Sequence, residues 1–309
     1  MSIFILGSYA KALVMTADRI PMAGETLIGT DFRQTWGGKG SDMAVQAARL
    51  GANVAYAGVV GDDTFGHEFV TLMRDEGVNI DALTLTPELP TGAGLIIKDN
   101  QARNVIVVDM GANKLFSPAH VDEAKALIEQ SRVALAQLEI PLETALYGLD
   151  LAKQLGKITI LNPAPARDLR GVNLSHIDYL TPNETEARVA LGLGPDDTRS
   201  NREIADLLLE TGCRYVVMTL GEQGSAVFSR DSTLEIPPCR VDVVDSNGAG
   251  DSFNAALAVA LDENQCIEDA VLFANATAAL CCTQWETVPS YHRRSEVLAL
   301  MQTQPVGEV

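Results

Sequence analysis

Basic residues are scarce in this chain: 23 Lys and Arg stand against 41 Asp and Glu, a net charge of −18 over 309 residues. Nucleic acid and anionic membranes need clustered Lys and Arg to neutralise their phosphates, so both are excluded as bulk partners, and a phosphorylated ligand requires a local positive site. Cysteine is sparse as well. Cys213, Cys239, Cys266, Cys281 and Cys282 form no C-x-x-C pair and no zinc-like spacing, and an odd number completes no disulfide framework, which points to a reducing, cytoplasmic setting. No apolar run has membrane-spanning length. The opening Ile3-Phe4-Ile5-Leu6 follows no basic segment, is too short for a signal peptide, and reads as a buried first strand. No Gly-x-Gly-x-x-Gly follows that strand, which argues against a hydride-transfer enzyme of dinucleotide-binding type. Internal repeats, low-complexity linkers and heptad runs are missing too.

The chain is 47% hydrophobic, enough for one large α/β domain with an insertion or for two domains. Short apolar runs at 3–6, 53–60, 133–138, 157–161 and 215–219 alternate with segments of helical period at 43–50, 67–76, 118–130 and 204–209. Runs rich in Val, Ile and Leu on both faces suit parallel strands covered by helices on either side, so the expected body is a doubly wound, mostly parallel α/β sheet. Two regions break the rhythm. Residues 13–34 and 91–108 carry β-type runs (Thr26-Leu27-Ile28, Leu95-Ile96-Ile97 and 104–108) with no helix between them. They are expected to pair as a small antiparallel lid, spanning about 11–36 and 91–110 of a single domain covering 1–309; an ordinary edge hairpin fits the same pattern.

The most informative segment is Asp245-Ser246-Asn247-Gly248-Ala249-Gly250-Asp251, which runs into the apolar-periodic stretch 255–261. At the start of a helix the first N–H groups are unpaired and carry the positive end of the dipole, so they can hold a phosphate or a developing oxyanion. Asp251 beside such a hole can take a proton from an alcohol while the loop holds a transferring phosphoryl group. Trp36-Gly37-Gly38-Lys39-Gly40-Ser41-Asp42 precedes a helix expected near Met43, and brings glycine backbone and one Lys to a crevice; its spacing is not that of a Walker phosphate loop. Thr181-Pro182-Asn183-Glu184-Thr185-Glu186 follows a strand-like 177–180. A capping box from Asn183 to Glu186 explains it structurally, while a metal-bound phosphate held through water is the functional use. Thr219-Leu220-Gly221-Glu222-Gln223-Gly224 brings two more glycines to the same carboxyl edge, where open α/β sheets bind ligands.

These segments, in this order, resemble the ribokinase, or PfkB, carbohydrate kinase family. Gly7-Ser8, 21–25, Gly61-Asp62-Asp63-Thr64-Phe65-Gly66, Gly111-Ala112-Asn113 and Asn162-Pro163-Ala164-Pro165 fit it as well, so the likeness spans about 3–289. The resemblance implies an ATP- and Mg²⁺-dependent kinase acting on a sugar's primary hydroxyl. By it, Asp251 is the base and Gly248, Ala249 and Gly250 form the anion hole. Asn183 and Glu186 serve phosphates and Mg²⁺, with Glu186 acting through water. Thr219, Gly221, Gly224 and Asn275 line the nucleotide pocket, and Gly38, Lys39 and Glu139 face the sugar. A homodimer joined through the lid is implied in the same way.

The departures from that pattern concern the sugar. The family's Gly-Ser-x-Asn-x-Asp becomes Gly7-Ser8-Tyr9-Ala10-Lys11-Ala12, and the Asn expected two residues after Gly-Gly-Lys-Gly is Asp42. On an extended segment Ala10 and Ala12 share one face, leaving an apolar recess with Lys11 turned elsewhere. Loss of two polar contacts costs ribose roughly 2–4 kcal/mol, about 30- to 1,000-fold in affinity. Ribose is therefore expected to be poor. A bulkier or less hydroxylated sugar fits, as does a nucleoside whose base fills the recess, and Asp42 can take additional hydroxyls or an amine. Sugar phosphates are disfavoured by charge, with Lys39, Lys11 and Arg103 as possible local exceptions. Asp245 suits a monovalent cation, but Glu286 stands where relatives carry Gly, which puts potassium dependence in doubt. A sugar-sensing protein without turnover is the rival of another class.

Overall fold

The computed structural model describes residues 2–99 and 103–303. From the N-terminus, β1 (Ile3–Leu6), β2 (Ala10–Ala17) and β3 (Thr30–Thr35) lead to α1 (Lys39–Arg49), β4 (Val54–Gly61), α2 (Thr64–Asp75), β5 (Asn79–Thr86), β6 (Gly92–Asp99) and β7 (Asn104–Asp109). Then come α3 (Pro118–Glu123), α4 (Lys125–Gln130), β8 (Val133–Ala136), α5 (Leu142–Gln154), β9 (Ile158–Leu161), β10 (Tyr179–Leu180), α6 (Glu184–Ala190) and α7 (Asn201–Leu209). The chain closes with β11 (Tyr215–Thr219), β12 (Ser225–Phe228), β13 (Thr233–Ile236), α8 (Ala249–Asp262), α9 (Ile267–Cys281) and α10 (Arg294–Thr303).

Among the described residues, nine strands form one sheet in the order β13-β12-β11-β10-β9-β8-β1-β4-β5, parallel except for the β11–β12–β13 edge. β1 shows why it is doubly covered. Ile3 and Ile5 enter one apolar core with α1, α2, α8 and α9, whereas Phe4 and Leu6 enter the other with α3, α5 and α7. Alternation along a strand divides a wholly apolar run between two faces, and each requires its own helical layer. The chain leaves β1 for β4 and β5, then returns to β8 on the other flank. The crevice at the carboxyl ends of β1 and β8 is therefore the topological switch point, and Ser8 and Glu139 follow those two ends.

The second sheet has the order β3-β2-β6-β7. Its outer pairings are antiparallel, as expected, but the central β2–β6 pair runs parallel, Ala12 opposite Gly94 and Val14 opposite Ile96. Residues 26–28 form no strand despite their β-type composition, and Ile28 is 92% exposed with no neighbouring strand to cover it. The register sorts the faces. Ala12, Val14, Thr35, Ile96, Lys98 and Ile106 turn toward the body and line a cleft, whereas Leu95 and its partner Val107 point to solvent.

Candidate active site

Helix α1 begins at Lys39, a full turn before the start near Met43 read from periodicity, because Gly38 takes φ +97° and turns the chain directly into the helix. A Cβ on Gly38 would lie 2.7 Å from the Tyr9 Cα. This close approach sets Lys39 and Asp42 in the first helical turn. Glu139 holds that turn from across the switch point. Its Oε2 accepts the Lys39 backbone N–H at 2.8 Å and the Ser8 hydroxyl at 2.6 Å, and Ser8 Oγ accepts the Gly40 N–H at 3.2 Å. A carboxylate at a helix N-terminus satisfies orphan donors and matches the dipole.

The other half comes from α8, whose cap Gly248 sits in the left-handed region at φ +77°. Asn254 fixes the first turn, donating to the Gly250 carbonyl at 2.8 Å while its Oδ1 accepts from Thr181 Oγ1 at 2.6 Å. The Ala249 N–H leans to the Ser246 carbonyl at 3.3 Å, whereas the N–H groups of Gly250 and Asp251 have no carbonyl partner among the described residues. A Cβ on Gly250 would meet nothing within 4 Å, so open space lies directly over these donors.

Asp251 is 6% exposed, and its Oδ1 faces Lys39 Nζ at 3.7 Å, too far for a hydrogen bond. Burial raises its carboxyl to about 6; Lys39 opposes the rise, and Glu139 and Glu186 add to it. Lys39 in turn is held above its ordinary range, chiefly by Asp251. Asp42 is pushed well above the usual carboxylate range by burial, with Asp251 and Glu139 adding and Thr287 and Lys39 opposing.

Asp251 stands where two clefts meet. A cleft of about 870 Å³ is lined by Asn183, Thr219, Gly221, Gly224, Ala249, Gly250 and Asn275; a second of about 300 Å³ is lined by Gly38, Lys39, Asp42, Glu139, Gly248 and Asp251. Asn183 of the larger cleft forms a reciprocal capping box with Glu186, which does not itself line that cleft, at 2.8 and 2.9 Å, and Asn183 bridges to Thr219, so the structural reading of this pair is met. One Glu186 oxygen is committed to the Asn183 N–H, and burial raises the carboxyl. No group of three or more His, Cys, Asp or Glu among the described residues could hold a metal alone. The donor set thus fits an ion carried by phosphates with Glu186 as an outer ligand. Asn275 spends its amide on Pro237 O at 3.0 Å and accepts from Ser225 Oγ at 3.1 Å, so it shapes the wall.

The residues thought to face the sugar divide. Ala12 lines the smaller cleft together with Val14, but Ala10 lies outside it, its N–H donating to the Gly37 carbonyl. Lys11 is turned away as expected, buried, paired with Glu68 at 2.7 Å and 4.3 Å from the Trp36 ring centroid. Arg103 pairs with Asp99 at 2.7 Å. Asp245 accepts the backbone N–H groups of Asn247 and Glu286 at 3.0 and 3.2 Å. Glu286 keeps a left-handed φ of +72°, yet its side chain reaches away from Asp245 to Arg33 of β3, at 3.8 Å. Sequence reasoning missed Thr35, Ile96 and Ile106, which only the register of the small sheet brings to the cleft. It missed Val243 of the larger cleft, and also Ala278 and Ala279, whose only signal is a run of small residues in α9.

A buried carboxylate between two clefts, beside uncommitted helix N-terminal donors at the edge of a doubly wound sheet, defines a small-molecule phosphotransferase. Residues 2–293 match the family "pfkB family carbohydrate kinase". A ribokinase of Bacillus subtilis is 38% identical over 300 residues, covering 97% of this chain and 99% of the relative, and a deoxyribokinase of Salmonella typhimurium is 33% identical over 307 residues, covering 97% and 99%. The structure of an Arabidopsis thaliana ribokinase complexed with ribose and ATP superposes with a TM-score of 0.91 at 28% identity, covering 98% of this chain and 99% of that one. The chain belongs to the pfkB family of carbohydrate kinases.

Proposed function

We propose that this ATP-dependent kinase phosphorylates a primary hydroxyl of a sugar or sugar-like substrate other than ribose, with Asp251 as general base. The observation that carries the reading is the position of Asp251 at the junction of the two clefts, with a buried carboxylate oxygen lacking a hydrogen-bond partner. The larger cleft takes the nucleotide and the smaller the sugar. The hydroxyl proton passes to Asp251 as the oxygen attacks the γ-phosphorus in line; the N–H groups of Gly250 and Asp251 face the developing charge. Glu186 is the residue suited to meet Mg²⁺, which would neutralise phosphate charge when bound with the nucleotide. Lys39 balances the acids around the transfer point, and Glu139 fixes the turn that carries Lys39.

The small sheet acts as a lid over the sugar, in one kinase domain. Its apolar outer face, with Leu95 57% and Val107 64% exposed, supports a homodimer joined lid to lid. Five thiols without disulfides suit the cytoplasm. Ala12 and Val14 present no side-chain hydrogen-bonding group to the smaller cleft, which supports the exclusion of ribose. The same apolar wall supports a second reading, a nucleoside whose base lies against Ala12, Val14, Ile96 and Ile106.

ADP formation with Mg-ATP across pentoses, hexoses, ketoses and nucleosides tests the reading. Turnover of a non-ribose sugar that is lost in Asp251→Asn is expected. Efficient ribose turnover would overturn the substrate exclusion, and nucleoside turnover without sugar turnover would select the second reading.

A further inference from the structure

The smaller cleft carries more negative than positive charge: Asp42, Glu139, Asp245, Asp251 and Glu286 line it, against Lys39 and Lys98. Four of the acids are engaged. Glu139 accepts from Ser8 and the Lys39 N–H, Asp245 from Asn247 and Glu286, while Asp251 faces Lys39 at 3.7 Å and Glu286 faces Arg33 at 3.8 Å. Lys98 is turned aside, its Nζ 4.7 Å from the Trp285 ring centroid. Asp42 has no ion pair within 4 Å among the described residues; it is 2% exposed, and its Oδ1, like that of Asp251, has no hydrogen-bond partner there. The hydroxyl of Thr35, also buried and lining this cleft, has none either.

A buried carboxylate oxygen without a donor is costly, and neighbouring Asp251 and Glu139 add repulsion. A neutral sugar hydroxyl supplies a donor but leaves the repulsion in place. An ammonium group supplies up to three donors and a compensating charge. Resting on the kinase reading above, we propose that the substrate is an amine-bearing polyol whose protonated nitrogen pairs with Asp42 Oδ1 and donates to Thr35 Oγ1, while its primary hydroxyl meets Asp251. The apolar wall of Ala12, Val14, Ile96 and Ile106 covers the carbon skeleton. In the transfer the substrate O–P bond forms and the bond from the γ-phosphorus to the β–γ bridging oxygen breaks. ADP leaves with that electron pair, and the hydroxyl proton goes to Asp251. The nitrogen, protonated throughout, has no lone pair to compete for the phosphoryl group.

The test compares matched sugars, each as its amino form, its hydroxyl parent and its N-acetyl derivative, in ADP formation with Mg-ATP by the full-length enzyme and by Asp42→Asn. An amino member should exceed both neutral counterparts in kcat/KM by about 10- to 100-fold, the span of a charge-assisted hydrogen bond, and Asp42→Asn should remove that preference while raising turnover of a neutral parent. Preference for a neutral member by the wild-type enzyme overturns the amine assignment and leaves the kinase reading standing. If nothing is phosphorylated, calorimetry of the same sets against enzyme with Mg-ADP decides: amines that bind no tighter than their neutral counterparts overturn the assignment. Failure to bind Mg-ADP at all overturns the kinase reading with it.

Discussion

The raised carboxyl of Asp251 makes the pH dependence of turnover the sharpest test of the mechanism. The base must be ionised to accept a proton, so kcat/KM should climb about tenfold per pH unit below about 6, and level off above it. At pH 5 the rate should be about one-tenth of its plateau. Removing Lys39, the charge that opposes the rise, as in Lys39→Met, should move the midpoint further up. Asp251→Asn should lower kcat/KM by at least about 100-fold, as expected for loss of a general base. Stability separates lost chemistry from lost fold. A carboxyl held at about 6 in the folded chain, against an ordinary 3.8, binds its proton more tightly folded than unfolded; its contribution is complete below the ordinary value and is lost as pH rises through about 6. The difference amounts to at most about 3 kcal/mol. Lys39 keeps Glu139, Glu186 and Asp42 as counter-charges, so Asp251→Asn at pH 8 should melt no lower than wild type. Initial rates of ADP release from pH 5 to 8 and thermal melts at pH 8 suffice. A midpoint near 4, or an Asn variant within tenfold of wild type, would refute the assignment of Asp251 as base.

Two neighbouring glycines should part company. Gly250→Ala adds a methyl to open space at an ordinary φ, so melting should hold or rise while kcat/KM falls at least about tenfold if a phosphoryl group occupies that space; Gly248→Ala, at φ +77° with Tyr291 Oη 2.6 Å from the new Cβ, should lose at least about 1–2 kcal/mol in denaturant titration. In denaturant titration Glu286→Gly should gain about 1 kcal/mol from relief of its left-handed backbone, since the Arg33 pair at 3.8 Å offsets little. A dimer seen by sedimentation should shift toward monomer in Val107→Glu with melting nearly unchanged; a Val107→Glu dimer of undiminished affinity would move the interface off the lid.

The body was legible because its signals are local. Ile3–Leu6 must be buried on both faces whatever packs there, and Asn183 with Glu186 caps a helix by its own chemistry. What escaped the sequence depends on backbone angles and register. Gly38 could have ended a loop or begun a helix, and only φ +97°, forced by contact with Tyr9, sets Lys39 in the first turn of α1. Ala10 and Ala12 share a strand face, yet only Ala12 lines the cleft, a tertiary fact that alternation cannot contain. The parallel β2–β6 pairing brings Ile96 beside Val14, although the two are distant in the chain.

Glu286 shows how a single position can join both kinds of information. From sequence it is a carboxylate where a glycine is common, and the natural inference is a filled cation site. In the fold it retains the glycine's left-handed backbone, which keeps its N–H on Asp245, and sends its carboxylate toward Arg33 on the lid instead. The side chain therefore adds a charge to the smaller cleft rather than to the loop around Asp245. With Asp42 in place of Asn on the opposite wall, two departures from the family pattern that look independent in the sequence act on one cavity with the same sign. Burial raises the carboxyl of Asp42, and repulsion from Asp251 and Glu139 in the same cavity raises it further. The cationic substrate proposed above would offset that repulsion on binding and lower the carboxyl of Asp251, coupling recognition of the amine to activation of the proposed base.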